Sequence, residues 1–281
     1  MALAMTPGSR QERPLGGVLE APPAQEPQYV PVADEVALFE AAATNRLPVL
    51  LQGPTGCGKT RFVRHMAWRM GRPLVTIACH DDLAASDLTG RFLVEGGETR
   101  WHDGPLTQAV RAGAIAYLDE VVEARQDTVV VLHPLADDRR VLPLEKLGEL
   151  VEAHPDFQLV VSCNPGYQSL AKELKPSTRQ RFVTIHFEVA PPDVETAIVA
   201  REAGVPRGLA AQLVQVASRI RPLRDRGIAE VPSTRLLVHA ARLIATGIAP
   251  RRAVETALAA PLTDDPELLA TIREIVAGVL G

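Results

Sequence analysis

Aromatic side chains make up only 4% of this 281-residue chain, and no stripe interleaves them with basic residues. With a formal net charge of −4, that scarcity argues against a surface built to stack bases and grip phosphates, so no nucleic-acid partner is expected. Long hydrophobic runs are missing too. No stretch approaches the ~18 uninterrupted apolar residues of a membrane-spanning helix, and the N-terminus lacks the apolar centre of a secretory leader. No membrane insertion and a cytoplasmic location are therefore expected. Cysteine is limited to Cys57, Cys79 and Cys163, whose spacings fit neither a metal site nor a disulfide framework. Lysine is scarce as well: only four of the 30 basic side chains are Lys, and Lys59 is the only one before Lys146. Apolar bulk, in contrast, is ample. A hydrophobic content of 46% suffices for one large domain or two modest ones.

The isolated Lys59 stands in Gly53-Pro54-Thr55-Gly56-Cys57-Gly58-Lys59-Thr60, which fits the phosphate-loop pattern G-x-x-x-x-G-K-[ST]. In that pattern glycines let backbone N–H groups turn inward around a phosphate, the lysine reaches the β/γ-phosphates, and the hydroxyl of Thr60 takes a Mg²⁺ site. The flanks suit it. Pro48-Val49-Leu50-Leu51 reads as a short buried strand, and 59–70 as a helix whose N-terminus faces the anion. Binding of a nucleoside triphosphate is the expectation, with ATP and Mg²⁺ as its ligands.

Around this loop the chain divides into three stretches. Residues 1–28 carry five prolines among small and polar residues and are expected to be a flexible Pro-rich arm. Residues 29–190 alternate strands (49–51, 74–78, 114–118, 159–163 and 183–187) with helices, one of them opening at Gly104-Pro105. That alternation means an α/β fold with a parallel sheet flanked by helices. Two β-hairpins interrupt it, one over 90–101 around Gly96-Gly97 and a shorter one within 139–151. From Pro191-Pro192 onward only helical patterns remain (about 192–203, 207–220, 233–247, 251–259 and 265–279), so 191–281 is expected to be a helical lid subdomain.

Three further groups of residues carry chemistry. Ile115-Ala116-Tyr117-Leu118-Asp119-Glu120 is an apolar strand ending in two carboxylates. On a strand beside the loop, Asp119 would join Thr60 at the Mg²⁺ site, and Glu120 would align a water against the γ-phosphate as general base. Without a phosphate loop the same residues would read as a strand meeting solvent. Asn164, at the next strand end, can hydrogen-bond the attacking water or the γ-phosphate, although Asn-Pro is also a common turn initiator. Arg179 and Arg181 before the last strand suit insertion into a neighbouring copy's phosphate site, or they are solvated helix ends. Arg235 lies in the first turn of a helix, where a cation opposes the dipole, so an anion elsewhere is its expected partner.

These pieces in this order, followed by a helical lid, resemble an AAA+ P-loop ATPase. Gly53 to Thr60 is similar to its Walker A segment, Ile115 to Glu120 to Walker B, Asn164 to sensor 1, Arg181 to the arginine finger and Arg235 to sensor 2. The two hairpins resemble the inserts of the MoxR branch. Gly53 to Val63, Ala78-Cys79-His80-Asp81-Asp82-Leu83, Tyr117 to Arg125 and Asn164-Pro165-Gly166-Tyr167-Gln168-Ser169 resemble the CbbQ/NirQ/NorQ group within it. The resemblance implies a homo-oligomeric ring, expected to be a hexamer. It also implies a partner with a von Willebrand factor A domain of the CbbO or NorD kind. The client it implies is either inhibited Rubisco, the favoured one, or nitric oxide reductase in maturation. A nucleotide-dependent binding switch with negligible turnover and a small-molecule kinase are the rival readings. Where many peptide-threading relatives carry an aromatic–apolar–Gly loop, this chain reads Cys79-His80-Asp81-Asp82-Leu83-Ala84, so threading of a client is not expected.

Overall fold

The computed structural model of the chain describes residues 17–164, 174–226, 228 and 230–280. The first sixteen residues of the expected arm and Pro165–Ser169 of the family-like segment lie outside the described residues. The core is a six-stranded sheet. Its strands are β1 (Leu19–Glu20), β3 (Leu74–Ala78), β6 (Ile115–Asp119), β9 (Gln158–Cys163), β2 (Val49–Gln52) and β10 (Val183–His186), in that spatial order. The last five run parallel. Alternate residues of each strand enter different cores. Leu50, Ala116 and Val161 join one apolar cluster, while Val49, Leu51, Tyr117 and Val160 join another with Phe39 and Phe62. Both faces are covered, which is why these strands read as continuous apolar runs rather than alternating ones.

Helices α1 (Glu35–Thr44), α2 (Lys59–Met70), α3 (Ala85–Thr89) and α4 (Pro105–Ala112) lie in the first half, and α5 (Gln126–Val130) and α6 (Pro176–Arg179) in the second. Helix α2 buries Phe62, Val63, Met66 and Ala67, one helical stripe against the sheet. The chain leaves β2 toward β3 on one side and reaches β10 on the other. The C-terminal end of β2 is thus a topological switch point, where open α/β sheets hold their ligands.

The expected hairpins form as β4 (Gly90–Glu95) with β5 (Glu98–Asp103), and β7 (Val141–Leu144) with β8 (Glu149–Glu152). On the first, Phe92 pairs edge-on with Trp101 at 5.2 Å. Trp101 packs on the core and donates to Asp103 Oδ1 at 2.7 Å, whereas Phe92 and Val94 are exposed. Trp101 therefore serves the base of the ribbon.

One element departs from the sequence reading. Leu19–Glu20, inside the stretch expected to be a flexible arm, pairs antiparallel with β3, and Leu19 packs on the core. Further along, the Tyr29 ring packs at a tilt against Phe62 and His65, 5.4 Å from each. It donates to Glu35 Oε1 at 2.6 Å, and the backbone N–H groups of Val32 and Ala33 bind the same carboxylate. Burial pushes the Glu35 carboxyl upward, but these hydrogen bonds prevail and hold it below its usual range. Proline-rich composition concealed a segment that follows an edge strand and the back of α2, where isolated apolar residues suffice.

The lid comprises α7 (Pro192–Ala203), α8 (Arg207–Ile220), α9 (Thr234–Ala245), α10 (Pro250–Val254), α11 (Ala260–Leu262) and α12 (Pro266–Leu280), with a π-helical turn over Glu255–Ala259. It has its own apolar cluster. One ionic network fixes the start of α9: the side chain of Glu195 is fully buried and accepts from Arg221 Nη2 at 2.7 Å, Arg221 Nη1 at 2.9 Å and Thr234 Oγ1 at 2.8 Å. Arg221→Ala would strand this carboxylate without its counter-ion, an outcome that costs about 3–5 kcal/mol in comparable sites. Chemical denaturation of the variant is expected to show a loss of that order, with the lid unfolding first in hydrogen exchange.

Candidate functional site

The C-terminal ends of β2, β6 and β9 bring the sequence-selected residues to one edge of the sheet. Leu51 pairs with Ser162 and Gln52 with Cys163, and Leu118 pairs with Val161. Asp119, Glu120 and Asn164 therefore emerge side by side, next to the loop that follows β2. Within that loop Gly56 has φ +74°, and an added Cβ would lie 2.6 Å from the Ser233 Cβ and 2.7 Å from its Oγ. Only glycine allows this turn and lets the start of α9 approach so closely. The loop then enters α2, which has no side-chain N-cap and no acidic residue in its first turn. Unanswered N–H groups at such a terminus attract an anion.

Lys59 is buried, with 7% of its surface exposed. Its ammonium donates to Gly53 O at 2.7 Å, Pro54 O at 2.9 Å and Asn164 Oδ1 at 2.7 Å. None of these is a carboxylate, so among the described residues this buried cation makes no direct ion pair in the cleft, an arrangement that favours an anionic ligand. Asn164 Nδ2 in turn donates to Glu120 Oε1 at 3.0 Å and Thr55 Oγ1 at 3.2 Å. Glu120 itself occupies the left-handed region (φ 57°, ψ 50°), uncommon for a residue with a Cβ and found disproportionately at functional sites. The Ser162 hydroxyl accepts from Glu120 N at 2.9 Å and helps hold that conformation.

Thr60 Oγ1 stands 3.4 Å from Asp119 Oδ2. A hydroxyl and one carboxylate are the few protein donors that a nucleotide-bound Mg²⁺ takes, the rest being phosphate and water. Consistent with that, the described residues contain no group of three or more His, Cys, Asp or Glu able to cage a metal alone. The donor set thus fits Mg²⁺ held jointly with a phosphate ligand. Burial, then the charges of Asp119 and Glu120, push the nearby Cys79 thiol up to about 12. Burial also raises Cys57 and Cys163, so all three thiols are poor nucleophiles at neutral pH.

A cleft of about 410 Å³ joins these groups to the lid. Arg235 and Thr234 of α9 line it. The sequence reading missed Gln28, Tyr29, Val30 and Val32 on the core side, and Ile198, Val238 and His239 on the lid side. They carry no motif; they are mostly apolar residues, with Gln28, Tyr29 and His239 among them, whose shared wall depends on how lid meets core. Arg61 spans that junction, gripping Glu202 of α7 with both terminal nitrogens (Nη2···Oε2 2.7 Å). Arg179 and Arg181 are absent from the described lining of the cleft. Arg181 instead donates to Ser177 O, while its Nε is buried without a hydrogen-bond partner among the described residues.

A mostly parallel sheet with a phosphate loop at its switch point, strand-end carboxylates and a helical lid define a P-loop nucleoside triphosphatase of the AAA class. The AAA domain (dynein-related subfamily) matches residues 48–182, and the CbbQ/NirQ/NorQ C-terminal domain matches 195–279. The chain is 60% identical to Protein CbbQ of Hydrogenophilus thermoluteolus over 88% of its length and 93% of that protein. It is equally 60% identical to Protein NorQ of Paracoccus denitrificans, over 91% and 94%. Its identity to the denitrification regulatory protein NirQ of Stutzerimonas stutzeri is 56%, over 89% and 91%. The chain belongs to the CbbQ/NirQ/NorQ family. In fold it is similar to a mutant RuvB of Thermotoga maritima (TM-score 0.53, 14% identity, 87% of this chain and 68% of that one). Among the described residues no helix is long and apolar enough to cross a membrane.

Proposed function

We propose that the protein is a Mg²⁺-dependent ATPase motor that works as a homo-oligomeric ring, a hexamer, and remodels a client protein. The single observation that carries the hydrolytic part is the chain Lys59–Asn164–Glu120, with links of 2.7 Å and 3.0 Å. It sets a carboxylate one side chain away from the ammonium that would hold the γ-phosphate. In this reading Lys59 and the N–H groups at the start of α2 bind the phosphates, and Arg235 meets them from the lid. Glu120 accepts a proton from water that Asn164 helps to orient. Thr60 and Asp119 would hold Mg²⁺, whose chemistry is to neutralise charge on the phosphates. A half-buried carboxylate lining the same cleft as Lys59 also favours turnover over the rival reading of a silent nucleotide switch.

Assembly into a ring is supported by Arg179 and Arg181. Both lie outside the described lining of their own cleft, and in phosphoryl-transfer sites of this kind a neighbour can supply an arginine in trans. The client we propose is Rubisco carrying an inhibitory sugar phosphate, engaged with a von Willebrand factor A domain partner; nitric oxide reductase is the alternative. Equal identity to CbbQ and NorQ leaves the client to experiment. Adding this protein, its partner and ATP to inhibited cognate Rubisco is expected to restore carboxylation with the client intact. Absence of ATP-dependent recovery transfers the assignment to nitric oxide reductase.

A further inference from the structure

Two hydroxyls beneath the cleft have no part in the scheme above, and both are fully buried: Tyr117 and Ser162 are each 0% exposed. Tyr117 lies two residues before Asp119 on β6, so the two side chains share a face of the sheet. Its ring packs among Phe39, Phe62 and Val160, where a phenylalanine would serve packing equally well. Its hydroxyl donates to Asp119 Oδ1 at 2.7 Å. From the neighbouring strand β9, Ser162 Oγ also donates to Asp119 Oδ1, at 2.7 Å, and accepts from Glu120 N at 2.9 Å. One oxygen of Asp119 thus takes two O–H donors, while the other, Oδ2, is left facing Thr60.

The outer torsion of an aspartate is broad and has no sharp preference. Backbone position alone therefore does not decide which oxygen meets the metal. We propose that Tyr117 and Ser162 are positioning residues: together they lock the Asp119 carboxylate so that Oδ2 is presented for Mg²⁺, and Ser162 also fixes the backbone from which Glu120 projects. Hydrogen bonds to the non-ligating oxygen of a metal-binding carboxylate orient it and reduce the entropy lost on binding. Ser162 thereby links the metal-facing and water-facing carboxylates through one oxygen atom.

The inference rests on the proposed Mg²⁺-ATPase reading, and its test separates the two. Binding of a fluorescent ATP analogue is titrated with Mg²⁺, and separately measured in EDTA, for wild type, Tyr117→Phe and Ser162→Ala. Both variants are expected to raise the half-saturating Mg²⁺ concentration by about ten-fold or more. Their affinity in EDTA, which also reports folding, should stay within about two-fold of wild type, because the two hydroxyls meet Asp119, the Glu120 N–H and the Thr60 hydroxyl assigned to Mg²⁺, not the Lys59 ammonium. Excess Mg²⁺ should recover hydrolysis more fully in Tyr117→Phe than in Ser162→Ala, since only the latter also releases Glu120. An unchanged Mg²⁺ midpoint in both variants, beside a metal-dependent wild type, overturns the proposal. So does an equal loss of affinity in EDTA, which would mark a merely structural role. A wild type whose binding ignores Mg²⁺ overturns the ATPase reading itself.

Discussion

Glu120→Gln is expected to bind ATP normally and to hydrolyse it about 10²–10⁴-fold more slowly, the usual worth of a positioned general base. Glutamine preserves the shape of the side chain and the hydrogen bond that Asn164 Nδ2 donates to its oxygen, but it cannot take a proton from water. Because the base acts on the water alone, ground-state binding is untouched while the transition state is lost. Lys59→Ala is expected to fail earlier, at binding. Its ammonium is held against Gly53 O and Pro54 O, so it shapes the loop and supplies the buried positive charge together. Equilibrium binding of labelled ATP and a phosphate-release assay on both variants separate the steps. Ordinary turnover by Glu120→Gln would remove the basis for the motor assignment.

Arg181→Ala should lower hydrolysis by about 10³-fold or more without weakening ATP binding to an isolated subunit, since arginines supplied in trans contribute about that much. The geometry behind this is the separation of Arg181 from the described lining of its own cleft, which leaves a neighbouring subunit's site as the place where its charge can act. Mixing Arg181→Ala subunits with Glu120→Gln subunits then becomes informative. A mixed interface can hold one intact Glu120 and one intact Arg181, so part of the activity should return. Verified mixed rings with no recovery would argue against Arg181. Arg179, which is exposed at the end of α6, would be the next residue to replace.

Most of the core was legible because its signals are local. Each parallel strand is buried on both faces and so appears as an apolar run, as at Val49–Gln52 and Gln158–Cys163. Gly96-Gly97 marked the first hairpin, and the lid's helices began where strand patterns ceased. The short β1 was not legible, because an edge strand of two residues needs only one neighbour, β3, and has no periodicity of its own. The wall around Tyr29 was missed for a related reason. Its partners Phe62, His65 and Glu35 are identifiable only once α2 is seated on the sheet.

The sequence by itself determined the phosphate loop, the paired carboxylates after an apolar strand and the succession of α/β core and helical lid. These depend on backbone preferences and spacings within a few residues, which survive without tertiary context. Only the tertiary structure decided how those parts face one another. Ser162 reaches Asp119 across 43 residues of sequence, and Thr55 reaches Glu230 of the lid across 175. Strand order selects the first meeting and the seating of lid on core selects the second. The orientation of Asp119 and the exclusion of Arg181 from its own cleft follow from the same packing, because burial of apolar faces chooses among arrangements that local sequence leaves equal.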